Sequence, residues 1–189
     1  MLRKHLSFKT IPLAFALLLF TLIPAAHAQC KPPANQHPVL SPAAQASVDL
    51  NGKNVTVYYC APSARSRKVM GALVPYGKVW RTGANTSTTL HTDADLKIGN
   101  QNVPAGTYTI YTLPSATVWK LIVNKQVGQW GTVYNQPQDL ARIPMKKGQA
   151  PGSSVETFKI YFDHTHGNHT QLHLQWENTD VYVPVTAVK

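Results

Sequence analysis

The sequence predicts a single antiparallel β-sandwich domain, all-β, and three observations carry that expectation. Short segments with β-branched or aromatic residues at period two recur along the chain. Turn signals such as Asn51-Gly52 and Val103-Pro104-Ala105-Gly106 separate them. Helical periodicity is weak throughout; residues 63–73 have room for a short helix capped by Ser63, limited by Gly71 and Pro75. Many short strands between turns are the pattern of two packed antiparallel sheets.

In chain order, the first element is an export signal over residues 1–28. Arg3, Lys4 and Lys9 form a positive start, and residues 11–23 form an apolar run broken by Pro12 and Thr21. Ala26-His27-Ala28 then supplies the small residues that signal peptidase reads. The apolar run is shorter than the roughly 20 residues a spanning helix needs, so no transmembrane span is expected in the mature chain. A lipid anchor on Cys30 is disfavoured, because Gln29 stands where a small residue is required. The expected location is the periplasm or the extracellular space.

Residues 29–44 are rich in Pro, Ala and polar residues and read as an extended tail; the sandwich is expected over 45–189. Strands are predicted at 46–50 and 53–60, joined by Asn51-Gly52, the strongest two-residue hairpin signal. A basic loop follows. Further strands are predicted at 87–92, 96–98, 107–113, 118–124, 141–145, 155–163, 170–177 and 180–185. Val-Pro-x-Gly occurs at 74–77 and 103–106, as a type I turn before an alternating segment.

Losing the leader removes three positive charges and lowers the formal net charge from +10 to +7. A basic exported protein favours anionic envelope polymers or acidic ligands. The scattered cations match no nucleic-acid module, so no nucleic acid is expected. Cys30 and Cys60 both survive cleavage, and two cysteines in an oxidising compartment most simply pair. That bridge would pin the tail to the sheet and contribute on the order of 3 kcal/mol. Cys60 as a nucleophile would need a lowered pKa and a nearby base, and the sequence assigns neither.

The histidine-rich stretch at 163–173 invites a metal reading, which the register opposes. Phe158, Ile160 and Phe162 must share a buried face with Leu172, Leu174 and Trp176. A two-residue Gly167-Asn168 turn would set Phe162 opposite His173, apolar against polar. An odd-numbered loop pairing Phe162 with Leu172 and Ile160 with Leu174 restores one apolar face. It sends His164 to the face opposite His173 and leaves His166 and His169 in the turn. No metal and no cofactor are expected.

Other catalytic patterns are sparse. The chain holds two glutamates and six aspartates, little for paired-carboxylate hydrolysis. There is no Gly-x-Ser-x-Gly elbow and no phosphate-cradling Gly-x-x-x-x-Gly-Lys. Asp93 and Asp95 read as turn residues, and the strand tyrosines as core or sheet surface. Two loops remain, 65–85 and 124–131. The first interleaves Arg65, Arg67, Lys68, Lys78 and Arg81 with Tyr76 and Trp80 and contains no carboxylate. Arg67, Arg81, Asn85 and Trp130 are the candidate ligand-binding residues: a planar fork, an amide and a stacking wall. Gly83 is expected at positive φ, folding Arg81 and Asn85 onto one side. The competing readings pair Arg81 with Glu177 and place Trp80 in the core.

Several strings are similar to landmarks of DUF2911, a family of secreted bacterial domains of unknown function. They are Arg65-x-Arg67-Lys68, the stretch from Leu73 through Trp80-Arg81-Thr82-Gly83-Ala84-Asn85, Pro104-Ala105-Gly106-x-Tyr108, Gln129-Trp130-Gly131 and Trp176-Glu177-Asn178. The resemblance spans about 41–185 and implies export and a compact β-rich domain, with no activity, substrate or cofactor. Family members usually carry Glu after Gly-Ala-Asn; here Thr86 stands there, and Ser66 and Ala72 replace common glycines. Losing that Glu removes an acid–base candidate beside Arg81. The expected function is therefore a non-catalytic binding domain for a small polar or anionic envelope ligand, or an envelope polymer. A structural or interaction module without a ligand, and an envelope hydrolase with unrecognised catalytic residues, are the alternatives.

Overall fold

A computed structural model describes residues 40–188 together with Cys30 and Asn35; the expected leader and most of the expected tail lie outside the described residues. One antiparallel sheet contains β1 (Ala43–Asp49), β2 (Asn54–Cys60), β3 (Thr88–Thr92), β6 (Gly106–Leu113), β7 (Lys120–Asn124) and β8 (Asp139–Pro144), in the order β1-β2-β3-β6-β7-β8. The other contains β4 (Leu96–Ile98), β5 (Gln101–Val103), β10 (Val155–His166), β11 (His169–Glu177) and β12 (Thr179–Ala187), in the order β10-β11-β12-β4-β5. The two-residue β9 (Lys146–Lys147) also pairs with β12. The chain crosses between sheets at β3–β4, β5–β6 and after β8, so the layers are tied together by connections as well as by packing.

Period-two patterning sets the core. Val55, Val57 and Tyr59 of β2, Leu90, Ile110, Leu121 and Val123 face Phe158, Ile160, Leu172, Leu174, Trp176, Val181, Val183 and Val185 across the sandwich. The first hairpin turns as the sequence predicts: Asn51 and Gly52 both take positive φ (56° and 79°) between the hydrogen-bonded pair Leu50 and Lys53. Tyr108 closes another turn by donating its hydroxyl to the Pro104 carbonyl at 2.9 Å. That gives the Pro-Ala-Gly-x-Tyr string an architectural role. Among the described residues no helix is long and apolar enough to cross a membrane.

The β10–β11 register pairs Ile160 with Leu174 and Phe162 with Leu172, as the shared apolar face requires. The device differs from the expected odd-numbered loop. The tip is a two-residue Gly167-Asn168 turn between His166 and His169, and the odd residue is absorbed by a β-bulge between Asp163 and His166. His164 sits in that bulge at φ 50°. The bulge undoes the expected separation of His164 from His173, since both line one groove on the sheet's outer face.

Other differences have local causes. β5 and β9 were not anticipated because Gln-Asn-Val and Lys-Lys carry almost no strand signal. β1 begins at Ala43, inside the stretch read as tail. The short helix for which residues 63–73 have room does not form. The Val69 and Met70 amides, which a helix would bond internally, go to the Glu177 carboxylate, while Ala64 and Arg65 donate to the Glu156 carbonyl and carboxylate. Cys30 and Cys60 form the expected disulfide, with Cα atoms 5.1 Å apart, at the end of β2. The 125–138 segment covers the outer face of the first sheet. There Tyr111 donates to the Val133 carbonyl, and Gln129 bonds Thr109 and Tyr111.

Candidate functional site

Irregular backbone between β2 and β3 builds a cleft of about 220 Å³ at the edge of the sandwich. Arg65, Arg67, Arg81 and Asn85 line it, with the Trp80 and Trp176 rings and residues 40 and 41 as walls. Trp80 is anchored in the core by an offset stack on Trp176 (5.9 Å) and edge contacts to Phe158 (5.0 Å) and Trp119 (6.4 Å). The indole nitrogen of Trp176 donates to the Glu156 carbonyl at 3.0 Å. This wall is a rigid aromatic cluster with one side left toward the cleft.

The Trp80–Asn85 string folds differently from the expected glycine turn. Gly83 does not take positive φ; Thr82 (54°) and Asn85 (55°) do. A Cβ on Gly83 would lie 2.9 Å from Thr88 Oγ1 and 3.1 Å from the Cys60 carbonyl, so glycine is needed here for close approach. A β-branched residue in the left-handed region is strained. Thr82 is fully buried, and its carbonyl accepts from the Thr88 hydroxyl at 2.8 Å. The disulfide end of β2 lies directly beneath, where Ala84 donates to the Cys60 carbonyl at 3.1 Å.

The arginines are held through backbone carbonyls. Arg81 Nε donates to Gly83 (3.2 Å), Arg67 Nε to Ala64 (2.9 Å) and Nη2 to Ser63 (3.0 Å), and Arg65 Nη2 to Leu40 (2.6 Å). Among the described residues no carboxylate forms an ion pair with any of the three. The alternative pairing of Arg81 with Glu177 is not formed, because Glu177 is spent on the amides of Val69 and Met70. Burial lowers the Arg81 pKa from its ordinary value, yet a guanidinium stays charged at neutral pH. The Nδ2 of Asn85 is buried without a partner among the described residues, as are side-chain oxygens of Ser87, Thr89, Gln126 and Gln129.

Trp130 is placed elsewhere. Its ring is 43 % exposed and does not line the cleft. Its segment instead buttresses the cleft from behind: Thr86 and Trp130 form a β-bridge, and Gly131 donates to the Asn85 carbonyl at 2.9 Å. A Cβ on Gly131 would lie 2.6 Å from both Arg81 Cδ and the Asn85 carbonyl. The structure thus brings Arg67, Arg81 and Asn85 together, adds Arg65, and leaves Trp130 outside. Composition of the loop was the signal for Arg65; nothing local separates a wall from a buttress at Trp130. Among the described residues no three His, Cys, Asp or Glu side chains are grouped to hold a metal ion.

A two-sheet antiparallel sandwich carrying a cationic cleft on its longest irregular connection defines the class of this protein. A family model described as a protein of unknown function (DUF2911) matches residues 41–185, and the chain belongs to that family. No curated protein and no solved structure matches the chain.

Proposed function

We propose that this chain is an exported binding protein whose cleft captures a small anionic ligand of the cell envelope through a carboxylate or phosphate group. The observation that carries the reading is the set of three guanidinium groups around one cleft, none of them neutralised by a carboxylate among the described residues. Planar forks held by backbone carbonyls are preorganised for bidentate contact with an anion. The half-buried position of Arg81 strengthens that attraction over its value in bulk water. Strain at Thr82 and Asn85 fits a segment shaped for a ligand rather than for stability.

Binding is favoured over hydrolysis here because no carboxylate or imidazole lines the cleft, and both glutamates are committed to backbone amides. The Cys30–Cys60 bridge fits an oxidising compartment. On this reading residues 1–28 are a cleaved leader, and N-terminal sequencing of exported material begins at Gln29.

Thermal-shift titration with inorganic phosphate and citrate tests the reading. Saturating anion is expected to raise the melting temperature by a few degrees, less so at high salt. Arg81→Lys is expected to weaken the response about tenfold while costing under about 1 kcal/mol of stability, since lysine keeps the charge and loses the fork. The reading is overturned by no shift with either anion. It is equally overturned if Arg81→Lys destabilises the fold by about 2 kcal/mol or more and leaves the anion response intact.

A further inference from the structure

The outer face of the second sheet holds a separate concavity of about 510 Å³ that shares no lining residue with the cationic cleft. Its floor is built on three neighbouring strands. Tyr161 of β10, His173 of β11 and Tyr182 of β12 are cross-strand neighbours. The His173 ring stacks between the tyrosines, with centroids 4.7 and 4.9 Å away and planes within 22° and 16°. Asp180 locks the stack: one carboxylate oxygen accepts from His173 Nδ1 at 3.0 Å and the other from the Tyr161 hydroxyl at 2.9 Å. Burial and Asp180 together raise the Tyr161 pKa, which keeps that hydroxyl a donor.

The floor is closely fitted. His173 and Asp180 are 5 % and 7 % exposed, and a Cβ on Gly148 would lie 2.6 Å from the Asp180 carboxylate. A buried ionisable pair of this kind adds little stability over apolar packing. A fully partnered polar network at the bottom of a hollow of this size points to a site. With Nδ1 committed to Asp180, Nε2 of His173 is fixed 3.1 Å from the Gln171 side-chain oxygen.

We propose that this groove binds a neutral polyhydroxylated chain, an oligosaccharide. The groups around the fixed floor are mixed donors and acceptors: the amides of Gln171 and Gln175, the Tyr182 hydroxyl, the Asp163 carboxylate and the Lys147 ammonium. The lining mixes both signs, with Lys147 against Asp163 and an Asp180 already engaged by His173 and Tyr161, unlike the unbalanced arginines of the cleft, so the groove selects hydrogen-bonding capacity rather than charge. A second hollow of about 260 Å³ adjoins it, sharing Lys147, Gly148, Ala150 and Asp180. There Tyr76 is 46 % exposed and offers an aromatic surface. A trough with a polar centre and an aromatic end suits an extended sugar chain more than a compact ion.

The test is amide NMR of the mature protein titrated with chitotetraose and, separately, cellotetraose. With at least one sugar, shifts are expected at residues 147–152 and 161–182, with a dissociation constant of about 1 mM or tighter. The Gln171→Ala/Gln175→Ala double variant is expected to weaken binding at least about fivefold and to stay folded, with its melting temperature lowered by a few degrees at most, since Gln171 gives up one hydrogen bond to His173. Arg81→Lys is expected to bind the sugar as the parent does. Absence of shifts at about 20 mM of both sugars, shifts confined to the cationic cleft, or unaltered affinity in the double variant would overturn the proposal.

Discussion

The cleft and the groove solve one problem with opposite materials. The cleft stands on irregular backbone, where arginines are tethered to main-chain carbonyls and the turn bends through left-handed Thr82 and Asn85. The groove stands on three hydrogen-bonded strands, where register alone sets Tyr161, His173 and Tyr182 side by side. Charge divides them further, three cations without acidic partners against a network whose carboxylate is fully engaged. A loop places side chains anywhere at the cost of strain. A sheet places them without strain but only at the spacing of its ladder.

Removing the disulfide is the largest way to break this comparison. Cys30→Ser/Cys60→Ser is expected to cost roughly 3–4 kcal/mol in chemical denaturation, since the bridge closes a long loop. It should blunt the anion response more than any response of the groove, because the bridge pins the segment leading to residues 40 and 41, which wall the cleft, with the Leu40 carbonyl accepting from Arg65. Asp180→Ala comes next, at about 3 kcal/mol, for it leaves the buried His173 and the Tyr161 hydroxyl without their acceptor. The residual folded protein should keep its phosphate response, and loss of that response would mean that the two sites are not independent. Gly131→Ala reverses the selectivity. Its methyl collides with Arg81 and the Asn85 carbonyl, so about 2 kcal/mol and most of the anion response should go while the groove is spared. Arg67→Ala is the mildest: the side chain is exposed, so stability should change by less than about 0.5 kcal/mol and anion affinity should fall severalfold.

The two regions also differ in how far the sequence disclosed them. Arg67, Arg81 and Asn85 stood out because cations interleaved with aromatics, with no carboxylate among them, are a local property of the chain. Of the groove only the histidine stretch stood out, and it pointed to a metal rather than to this arrangement. Tyr161 and Asp180 lie 19 residues apart, and each alternates with core residues, so every one reads as ordinary sheet surface until three strands are laid side by side. Strands with β-branched patterning were legible for the same local reason, and β5 and β9 were not, because their pairing partners rather than their own residues make them strands. The short helix for which 63–73 has room is lost to long-range competition: Glu177 takes the Val69 and Met70 amides that such a helix would bond internally.

The bulge at His164 bears on what this protein does with neighbours of its own kind. β10 is the outermost strand of its sheet and, at 12 residues, the longest described in the molecule. An outer strand of that length is a template on which a second chain can assemble. Its first half is shielded: Ala64 and the Pro62 carbonyl bond to Glu156 and Phe158, and the Tyr59 hydroxyl accepts from Ile160. Beyond residue 160 the main safeguard is the kink that one surplus residue forces into the ladder. Deleting His164 would leave an even count between Asp163 and Gln171, so the hairpin could close without a kink and keep every apolar pair. The shortened chain is expected to fold as well as the parent and to aggregate sooner, a difference that light scattering during storage would register.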